Sequence, residues 1–515
     1  MEEHDICSGD SVTEKKILWT EHSLPTFPCL DKDLTTDVCI IGGGITGLTS
    51  AYTLAKAGKS CVVIDKDLLG HGQSCRTTAH LSWALDERYC KLINYFSEDI
   101  IKLIIESHSS AIDYIEKIIR EENIDCDFER VNGYLFPDNG GSSADIPEKE
   151  FLCLQNLGIK TELLSVPPRP FIQGPCLVFP RQAKFHIMKY LHGLILALQR
   201  YGAQIYTHTP AVKIENTDHL TVTVKSGYKI QAKSLIVATC TPINNRFYLH
   251  TKQAAYRSYV IAAPIPKDSF PEGLFWDTAE PYHYIRTQKN DVDPTMQWII
   301  IGGEDHKTGQ CDYAADPYLH LLYTARKYIP QIKEYSYKWS GQFFVPIDSI
   351  GFIGKNPGED NVYIATGDAG NGMTHGTIAG ILIPDLILGK ENAWKEVYRP
   401  GRKTIRAGDN YIKENINTLM QYKDLFTPGE LKRIEDLPID RGMIIRRKLQ
   451  KIAIYKDFDK KIHCMSAICS HLGGCVRWNT IEKTWDCPCH GSEFDKFGRV
   501  VIGPANEDLK PMNEG

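Results

Sequence analysis

The sequence has no long hydrophobic run, no surplus of positive charge and no apolar leader. No apolar stretch approaches the roughly 20 residues needed to cross a membrane, so we expect no transmembrane segment. The formal net charge is −5, which lacks the basic footprint of a nucleic-acid-binding protein. The first residues, MEEHDICSGDSVTEKK, are polar and acidic and do not have the pattern of a signal peptide. We therefore predict a globular protein with no nucleic-acid partner.

Cysteine is plentiful, but its context does not predict a disulfide framework. The 515 residues include 16 cysteines. In a long chain without a leader, such cysteines indicate reduced thiols and metal ligands. We therefore expect a cytoplasmic protein, and the length predicts about three domains.

A glycine-rich turn near the start of the chain lies between a predicted strand and a predicted helix. Residues 37–41 form a short apolar run, Gly42, Gly44 and Gly47 follow in GxGxxG spacing, and a second apolar run ends on Asp65. This context predicts a dinucleotide site, in which the glycines allow a tight turn, close approach of a pyrophosphate and helix packing. Asp65 is expected to bind a ribose hydroxyl. The alternative is a purely structural turn.

A second glycine-rich turn favours FAD over a nicotinamide cofactor. Residues 361–367 form another apolar strand that runs into the sequence DAGNGMTHG, over residues 368–376. A cofactor with two distant ends needs such a closing loop, and a helix N-terminus there could stabilise negative charge on a reduced ring. A small polar loop over residues 69–80 completes the predicted site.

These signals, in this order, resemble the D-amino-acid oxidase-like FAD oxidoreductases, such as glycine and sarcosine oxidases. The resemblance covers roughly residues 35–390. It implies oxidation of C–N bonds in amines or amino acids, with the adenine held against the backbone at Val212. The candidate cofactor-binding residues are Gly42, Gly44, Thr46, Gly47, Asp65, Arg76, Thr77, Val212, Gly367, Asp368, Gly370, Gly372, Met373 and Thr374.

The predicted substrate region contains strands with long polar side chains. Alternation over residues 282–286 places Tyr282, Tyr284 and Arg286 on one face. Arg286 could hold a substrate carboxylate, and a structural salt bridge is the alternative. The candidate catalytic residues are His80, Arg286, His306 and His375. The acids beside His306 in residues 302–306 are further candidates, and a solvated turn is the alternative there.

Near the C-terminus, two Cys/His pairs lie in a spacing that predicts a metal centre. Cys469 and His471 are followed, after fifteen intervening residues, by Cys487 and His490. Two thiolates and two imidazoles form the ligand set of a Rieske [2Fe–2S] cluster. Zinc is the alternative, although the order of ligands is not that of a zinc finger.

The sequences HLGG, CPCHGS and GPA around these residues resemble the Rieske family. In respiratory members, an extra cysteine in each loop forms a disulfide, and the candidates here are Cys475 and Cys489. Gly474 resembles an insertion that displaces Cys475. Phe494 stands where those members have a hydroxyl-bearing tyrosine, so we expect a potential below the respiratory type, within roughly −150 to +300 mV.

Together the signals predict an α/β, Rossmann-like FAD domain with an antiparallel substrate sheet, followed by a small all-β Rieske domain. The predicted boundaries are a lead-in over 1–36, the oxidoreductase over 37–390, a linker over 391–441 and the Rieske domain over 442–515. Within the oxidoreductase we predict nucleotide-binding parts at about 37–85, 185–243 and 351–390, and cap parts at about 86–184 and 244–350.

The predicted activity is dehydrogenation of an amine or amino-acid-like substrate at FAD, with electrons passed singly through the cluster. The acceptor would be a quinone, a ferredoxin or another carrier, because a flavin holds two electrons and a Rieske cluster accepts one. Two alternatives stay open. In one, the protein delivers electrons to a partner enzyme. In the other, the cluster is structural or redox-sensing.

Overall fold

The structure is a computed structural model, and it describes residues 17–138, 144–165, 168, 174–216, 219–244, 249–311, 315–403, 405–431 and 433–512. Within these ranges, no helix is both long enough and apolar enough to span a bilayer.

Twenty-four strands and nine α-helices lie in the described residues. The strands are β1 Leu34–Ile41, β2 Cys61–Ile64, β3 His80–Leu81, β4 Glu129–Leu135, β5 Glu162–Leu164, β6 Cys176–Lys184, β7 Gln204–Tyr206, β8 Ala211–Asn216, β9 Leu220–Val224, β10 Lys229–Val237, β11 Gln253–Pro266, β12 Leu274–Trp276, β13 Tyr284–Lys289, β14 Met296–Lys307, β15 Tyr337–Pro346, β16 Phe352–Lys355, β17 Val362–Thr366, β18 Arg441–Arg447, β19 Gln450–Lys456, β20 Ile462–Ser466, β21 Arg477–Asn479, β22 Thr484–Asp486, β23 Glu493–Asp495 and β24 Val500–Ile502. The helices are α1 Ile45–Lys56, α2 Tyr89–Leu92, α3 Glu98–Glu122, α4 Ile146–Asn156, α5 Ile187–Arg200, α6 Pro317–Tyr328, α7 Gly372–Ile387, α8 Lys395–Tyr398 and α9 Gly408–Gln421.

A mostly parallel sheet forms the nucleotide-binding part. Its order is β16-β17-β10-β1-β2-β7, and the β8–β9 hairpin extends it from β10. The neighbours β17, β10, β1, β2 and β7 are parallel, whereas β16 is antiparallel at the edge. Helices α1, α5 and α7 pack together beside the sheet. β2 is fully buried, and the C-terminal ends of β1 and β10 are runs of buried apolar residues, as expected where a sheet is covered on both faces.

A second sheet of nine strands forms the substrate part. Its order is β15-β11-β14-β13-β12-β4-β6-β3, with β5 paired to β6. Two separate stretches of the chain build this sheet, β3–β6 and β11–β15. Its pairs are antiparallel except for β4 with β12, which run parallel. The predicted fold class is confirmed, including the antiparallel substrate sheet.

The C-terminal domain contains two small antiparallel sheets, β18-β19-β20 and β21-β22-β23-β24. Trp485, Phe494 and Tyr455 are fully buried in its core. The two loops that carry the predicted ligands follow β20 and β22, and therefore emerge from different sheets. This all-β domain is the one predicted from the sequence.

A buried charge cluster holds the C-terminal domain against the substrate sheet. Arg257 on β11 is 2% exposed, and its guanidinium lies 2.5 Å from Glu493 and 3.6 Å from both Glu482 and Asp486. These three acids belong to the C-terminal domain. Ser340 on β15 accepts a hydrogen bond from Arg257 and donates one to Glu482, at 3.0 and 2.6 Å. The two domains are thus joined by a desolvated ion cluster and not by the linker alone.

The lead-in contributes to the core. Trp19, in the 3₁₀ turn Leu18–Glu21, is fully buried, and its indole N–H donates to the carbonyl of Thr77 at 2.7 Å. The sequence predicts a segment that lies across the surface before the first strand. The burial of Trp19 affects the position of Arg286, as described below.

Candidate functional site

A cavity of about 790 Å³ extends from the nucleotide-binding sheet to the substrate sheet. Its size falls within the range of ligand and cofactor pockets. One end is lined by Gly42, Asp65 and Val212, and the other by Tyr284 and Asp305. Residues 500–503 and 505–508 of the C-terminal domain also line it.

The predicted GxGxxG turn forms a close-packed cradle at the first end. Gly42 has φ of +111°, and a Cβ there would lie 2.4 Å from the carbonyl oxygen of Ala238. A Cβ on Gly47 would lie 1.9 Å from the carbonyl oxygen of Gly42. The carboxylate of Asp65 accepts a hydrogen bond from the amide of Gly43 at 2.6 Å and lines the cavity. These contacts fit the pyrophosphate turn and ribose acceptor of a dinucleotide site.

Replacing Gly47 by alanine is expected to abolish retention of the cofactor. The added methyl group must push α1 away from the Gly42 turn, which costs about 1–3 kcal/mol as overpacking and misplaces the helix N-terminus. The measurement is flavin absorbance per protein after purification, together with the thermal midpoint. Gly408→Ala is the control, because a Cβ there meets no atom within 4 Å. A Gly47→Ala protein with full flavin content would contradict this reading.

Most of the predicted cofactor-binding residues line the cavity. The exceptions are Gly47, which packs α1 on β1, and Thr374. The Thr374 hydroxyl lies 2.8 Å from His108 Nδ1 and donates to the carbonyl of Asn371 at 3.2 Å, so it stabilises the start of α7. The lining residues from the predicted set are Gly42, Gly44, Thr46, Asp65, Arg76, Thr77, Val212, Gly367, Asp368, Gly370, Gly372 and Met373.

At the substrate end, a β-bulge turns an acidic side chain into the cavity. In the β11–β14 pair, Arg257 faces His306 and Tyr259 faces Gly303, so Ser258 stands opposite two residues, Glu304 and Asp305. Bulges re-aim side chains next to active sites. Here the bulge directs Asp305 and Ser258 to the cavity, and the adjacent His306 and Arg257 to the other face of the sheet.

Asp86, Tyr282 and Tyr284 complete the substrate end. The Tyr282 hydroxyl bonds to the Asp86 carboxylate, and the Tyr284 hydroxyl lies 2.7 Å from Ser258 Oγ. Burial raises the pKa of Asp86 to about 6. Alternation along the chain already placed the two tyrosines on one face. Asp86 was missed, because it lies in a loop 219 residues before Asp305 and carries no motif.

Two of the four predicted catalytic residues, His80 and His375, line the cavity. The ring of His80 lies edge-on to Tyr284, with 5.7 Å between centroids. Burial lowers the pKa of His80 to about 3 and the pKa of His375 to about 4. Both imidazoles are therefore neutral at physiological pH: they can form hydrogen bonds, but they are weak bases and carry no charge to bind an anion.

Arg286 and His306 do not line the cavity, so the expected roles of both need correction. Arg286 is fully buried, donates to the carbonyls of Ala79 and Phe185 at 2.9 and 3.3 Å, and lies 5.3 Å over the ring of Trp19. The strand alternation was right, but the lead-in fills the space in front of the guanidinium. His306 points away beyond the bulge and contacts Tyr259 at 3.1 Å.

The predicted metal ligands lie in two facing loops of the C-terminal domain. The thiols of Cys469 and Cys487 are within hydrogen-bond distance of each other, and the rings of His471 and His490 lie 5.1 Å apart between centroids. Burial lowers the pKa of His490 to about 4, so its imidazole is neutral, as a metal ligand must be.

This pairing of thiol with thiol and imidazole with imidazole suits a two-iron cluster with two protein ligands on each iron. In the described ranges, no group of three or more His, Cys, Asp or Glu side chains is placed to hold a single metal ion. Ser492 is fully buried, and its hydroxyl bonds to Cys469 and accepts from the amide of Ala505 at 3.0 Å. The residues therefore fit a Rieske cluster.

The candidate disulfide is not formed, because Cys475 and Cys489 are both free thiols. The thiol of Cys475 points to the carbonyl of Val476, whereas a Cβ on Gly474 would lie 2.6 Å from the sulfur of Cys489. The position facing Cys489 is thus occupied by glycine. The inserted residue displaces the cysteine by one position, as the sequence indicated.

A tyrosine from outside the cluster loops reaches them. Tyr422, in the 3₁₀ turn Tyr422–Leu425, donates its hydroxyl hydrogen to the carbonyl of Leu472 at 3.0 Å. Burial, with a contribution from the thiols of Cys489 and Cys487, raises the pKa of this hydroxyl. No sequence motif marks this residue, which lies 65 positions before Cys487.

The cluster loops touch the wall of the cavity directly. Gln342 on β15 lines the cavity, and its side-chain amide donates to the carbonyl of Gly491 at 2.7 Å. His250 packs edge-on against His471, with 4.8 Å between ring centroids. Lys66, beside Asp65, donates to the carbonyl of Val501. The side chain of Gln342 therefore connects the cavity wall to the backbone of Gly491, next to the predicted ligand His490.

Comparison with known families agrees with both sites. The model of the FAD dependent oxidoreductase family matches residues 37–386, which is more than half of the chain. The chain belongs to this family. The model of the Rieske [2Fe-2S] domain matches residues 429–513. This FAD dependent oxidoreductase therefore carries a C-terminal Rieske domain, and its cofactors are FAD and a [2Fe–2S] cluster.

Individual relatives have the same architecture or part of it. The putative Rieske 2Fe-2S iron-sulfur protein YhfW of Bacillus subtilis is 33% identical over 500 residues, covering 96% of each chain. Gamma-glutamylputrescine oxidoreductase of Escherichia coli is 24% identical over 74% of this chain and 91% of its own. Glycine oxidase from Geobacillus kaustophilus superposes on 72% of this chain and 99% of its own, with a TM-score of 0.60 and 18% identity. This last likeness supports the fold.

Proposed function

We propose that this FAD dependent oxidoreductase dehydrogenates an amine or amino-acid-like substrate and exports the electrons one at a time through its Rieske domain. The observation that carries the proposal is the contact between the cluster loops and the cavity wall, where Gln342 bonds to Gly491. A cluster with a purely structural role would not need to lie against the cavity. The names of two relatives, glycine oxidase and gamma-glutamylputrescine oxidoreductase, support an amine or amino acid as substrate.

Bound FAD supplies the acceptor for the two electrons and one proton that leave a C–H bond beside the substrate nitrogen. The product is an imine, which water hydrolyses to a carbonyl compound and an amine. The second proton leaves the nitrogen, and the two electrons pass in turn to a one-electron carrier or a quinone.

The protein residues prepare this reaction by holding the substrate and excluding water. The neutral His80 and the tyrosine hydroxyls can hydrogen-bond to a substrate nitrogen that enters uncharged, while the second sheet shields the reacting bond from solvent. The free thiols of the described cysteines suit a reducing, cytoplasmic environment.

Anaerobic mixing of the purified holoprotein with amines and amino acids tests the proposal. We expect the flavin absorbance to bleach first and the rhombic EPR signal of the reduced cluster to follow, without any added carrier. Bleaching that leaves the cluster oxidised would favour a structural or redox-sensing cluster. Reduction only by a reduced carrier, with no response to any amine, would favour a component that delivers electrons to a partner enzyme.

A further inference from the structure

The charges at the substrate end of the cavity are mainly negative. The side chains of Asp86 and Asp305 line this end. His80 and His375 are neutral there, and Arg286, the cation that sequence alternation placed on this face, is turned into the core. A carboxylate-bearing substrate would therefore meet two acids without the arginine expected to hold it.

One cation, Arg88, lies at this end of the cavity, and it already has partners. Its guanidinium contacts the carbonyl of Asp277 at 3.5 Å, and its charge favours the ionised form of Asp86. The other cations lining the cavity lie beside predicted cofactor-binding residues or are themselves among them. Lys66 is next to Asp65, Lys225 bonds to the backbone before Val212, and Arg76 bonds to Ser340 on β15. Arg88 and Asp86 offset each other, which leaves Asp305 as the excess charge.

Asp305 has an oxygen available for a ligand. Its carboxylate accepts a hydrogen bond from Ser258, but its Oδ1 has no hydrogen-bond partner in the described part of the chain. A buried acceptor left without a donor is costly, and such groups are often completed by a ligand. The β-bulge in β14 lies at Glu304 and Asp305, and it turns the Asp305 carboxylate towards the cavity.

We infer that the substrate is an aliphatic diamine or polyamine, in which a second, cationic nitrogen binds Asp305 while the C–H beside the first nitrogen is oxidised. An ammonium group supplies both the positive charge and the hydrogen-bond donors that Asp305 lacks. The assignment of the cavity as a substrate site rests on the proposed function. The nitrogen beside the oxidised C–H bond must be neutral. The specificity for a diamine therefore depends on the positive charge of the second nitrogen.

The pH dependence of binding follows from the surroundings of Asp305. Burial raises the pKa of Asp305 to about 7, and Asp86 and Glu304 act in the same direction, whereas Ser258 and His283 act against it. The carboxylate is ionised above this value and loses its charge as the pH falls through it. We therefore expect the preference for a diamine over a monoamine to decrease as the pH is lowered through about 7. Both ligands must lose a proton from the reactive nitrogen before they react. The ratio of their Kd values is therefore independent of that shared deprotonation.

The test compares three probes of matched chain length with the full-length holoprotein: 1,4-diaminobutane, n-butylamine and 4-aminobutanoate. We expect 1,4-diaminobutane to bind about 10- to 100-fold more tightly than n-butylamine, as for a hydrogen-bonded charge pair, and 4-aminobutanoate to bind most weakly. Kd is taken from the concentration dependence of anaerobic flavin reduction and, separately, from the rise in thermal midpoint of the oxidised protein.

Asp305→Asn should remove most of the advantage of the diamine over n-butylamine, and should abolish the dependence of that advantage on pH. Asp360→Asn is the control, because Asp360 is 92% exposed and pairs only with Lys355 at the surface. If 4-aminobutanoate or an α-amino acid binds best, or if Asp305→Asn leaves the ratio unchanged, the inference is overturned.

The two readouts separate this inference from the proposed function. A thermal shift with 1,4-diaminobutane that depends on Asp305, without bleaching of the flavin, would support the diamine site and refute the proposed oxidation. Bleaching that is fastest with carboxylate-bearing amines would support the proposed oxidation and refute the diamine site.

Discussion

Replacing Arg257 by methionine is expected to loosen the Rieske domain from the substrate sheet, at a cost of about 3–5 kcal/mol. The variant leaves Glu482, Asp486 and Glu493 close together and buried, without the guanidinium that offsets their charge. Burial raises the pKa of Glu493, and the charge of Arg257 opposes that shift. Without Arg257, at least one of the acids must take up a proton or become exposed to water.

Chemical denaturation of the full chain measures this effect. Loss of the visible absorbance of the cluster would identify the transition of the Rieske domain, and we expect that transition to move to lower denaturant in Arg257→Met. A chain of several domains with bound cofactors is expected to unfold in more than one step, so the comparison concerns this transition and not a single global value. Electron transfer from flavin to cluster should slow in the same variant, because the cluster loops are held against the cavity by the same interface.

Lys307→Met is the matched control. Lys307 pairs with Glu414 at 2.6 Å, but both side chains are partly exposed, so this pair should contribute no more than about 1 kcal/mol. Arg257→Lys keeps the charge but loses the planar fork, and should lie between the wild type and Arg257→Met. Equal, small effects of Arg257→Met and Lys307→Met would show that the charge cluster does not hold the domain.

Replacing Cys469 by serine is expected to leave the reduction of the flavin by substrate intact and to abolish the transfer of electrons to an external acceptor. The thiol lies beside Cys487 in the predicted thiolate pair, and a hydroxyl is a poorer ligand than a thiolate for an iron–sulfur cluster. The variant should lose the EPR signal of the reduced Rieske cluster. Its flavin should still bleach with substrate under anaerobic conditions, but steady-state reduction of a one-electron acceptor should fall to the background rate.

Cys475→Ser is the matched control, because Cys475 is also buried in the first cluster loop but its thiol points to the carbonyl of Val476 and not to Cys487. This variant should retain the EPR signal and the turnover. If Cys469→Ser turns over at the wild-type rate, electrons do not leave through the cluster. If Cys475→Ser alone loses the cluster, the predicted ligand set is wrong.

Local patterns were sufficient to predict both cofactors. The turn from Gly42 to Gly47 needs small residues at fixed spacing, because backbone atoms approach within distances that exclude a Cβ. The two Cys/His pairs likewise carry their chemistry within a few consecutive residues. Such sites depend on short-range geometry, which a sequence states directly. The fold class follows from the same signals, since buried parallel strands and alternating antiparallel strands differ in hydrophobic period.

Contacts between distant segments could not be predicted in this way. Arg286 lies on the predicted face, yet Trp19 from the lead-in and two carbonyls from other loops hold it in the core. The bulge opposite Ser258 changes the alternation of β14, so that of the candidates in residues 302–306 Asp305 lines the cavity and His306 does not. A β-bulge adds a single residue to one strand, and neither the composition nor the spacing of the sequence indicates where it occurs.

The sequence established which chemistry this protein carries: a dinucleotide turn, a closing loop and a two-thiolate, two-imidazole centre. The tertiary structure determined how the cluster loops lie against the cavity and which charged side chains line the substrate end. The docking of the Rieske loops on β11 and β15, and the acidic substrate end, both arise from residues more than a hundred positions apart. Long-range packing and desolvation bring these groups together, and neither is encoded in any single stretch of sequence.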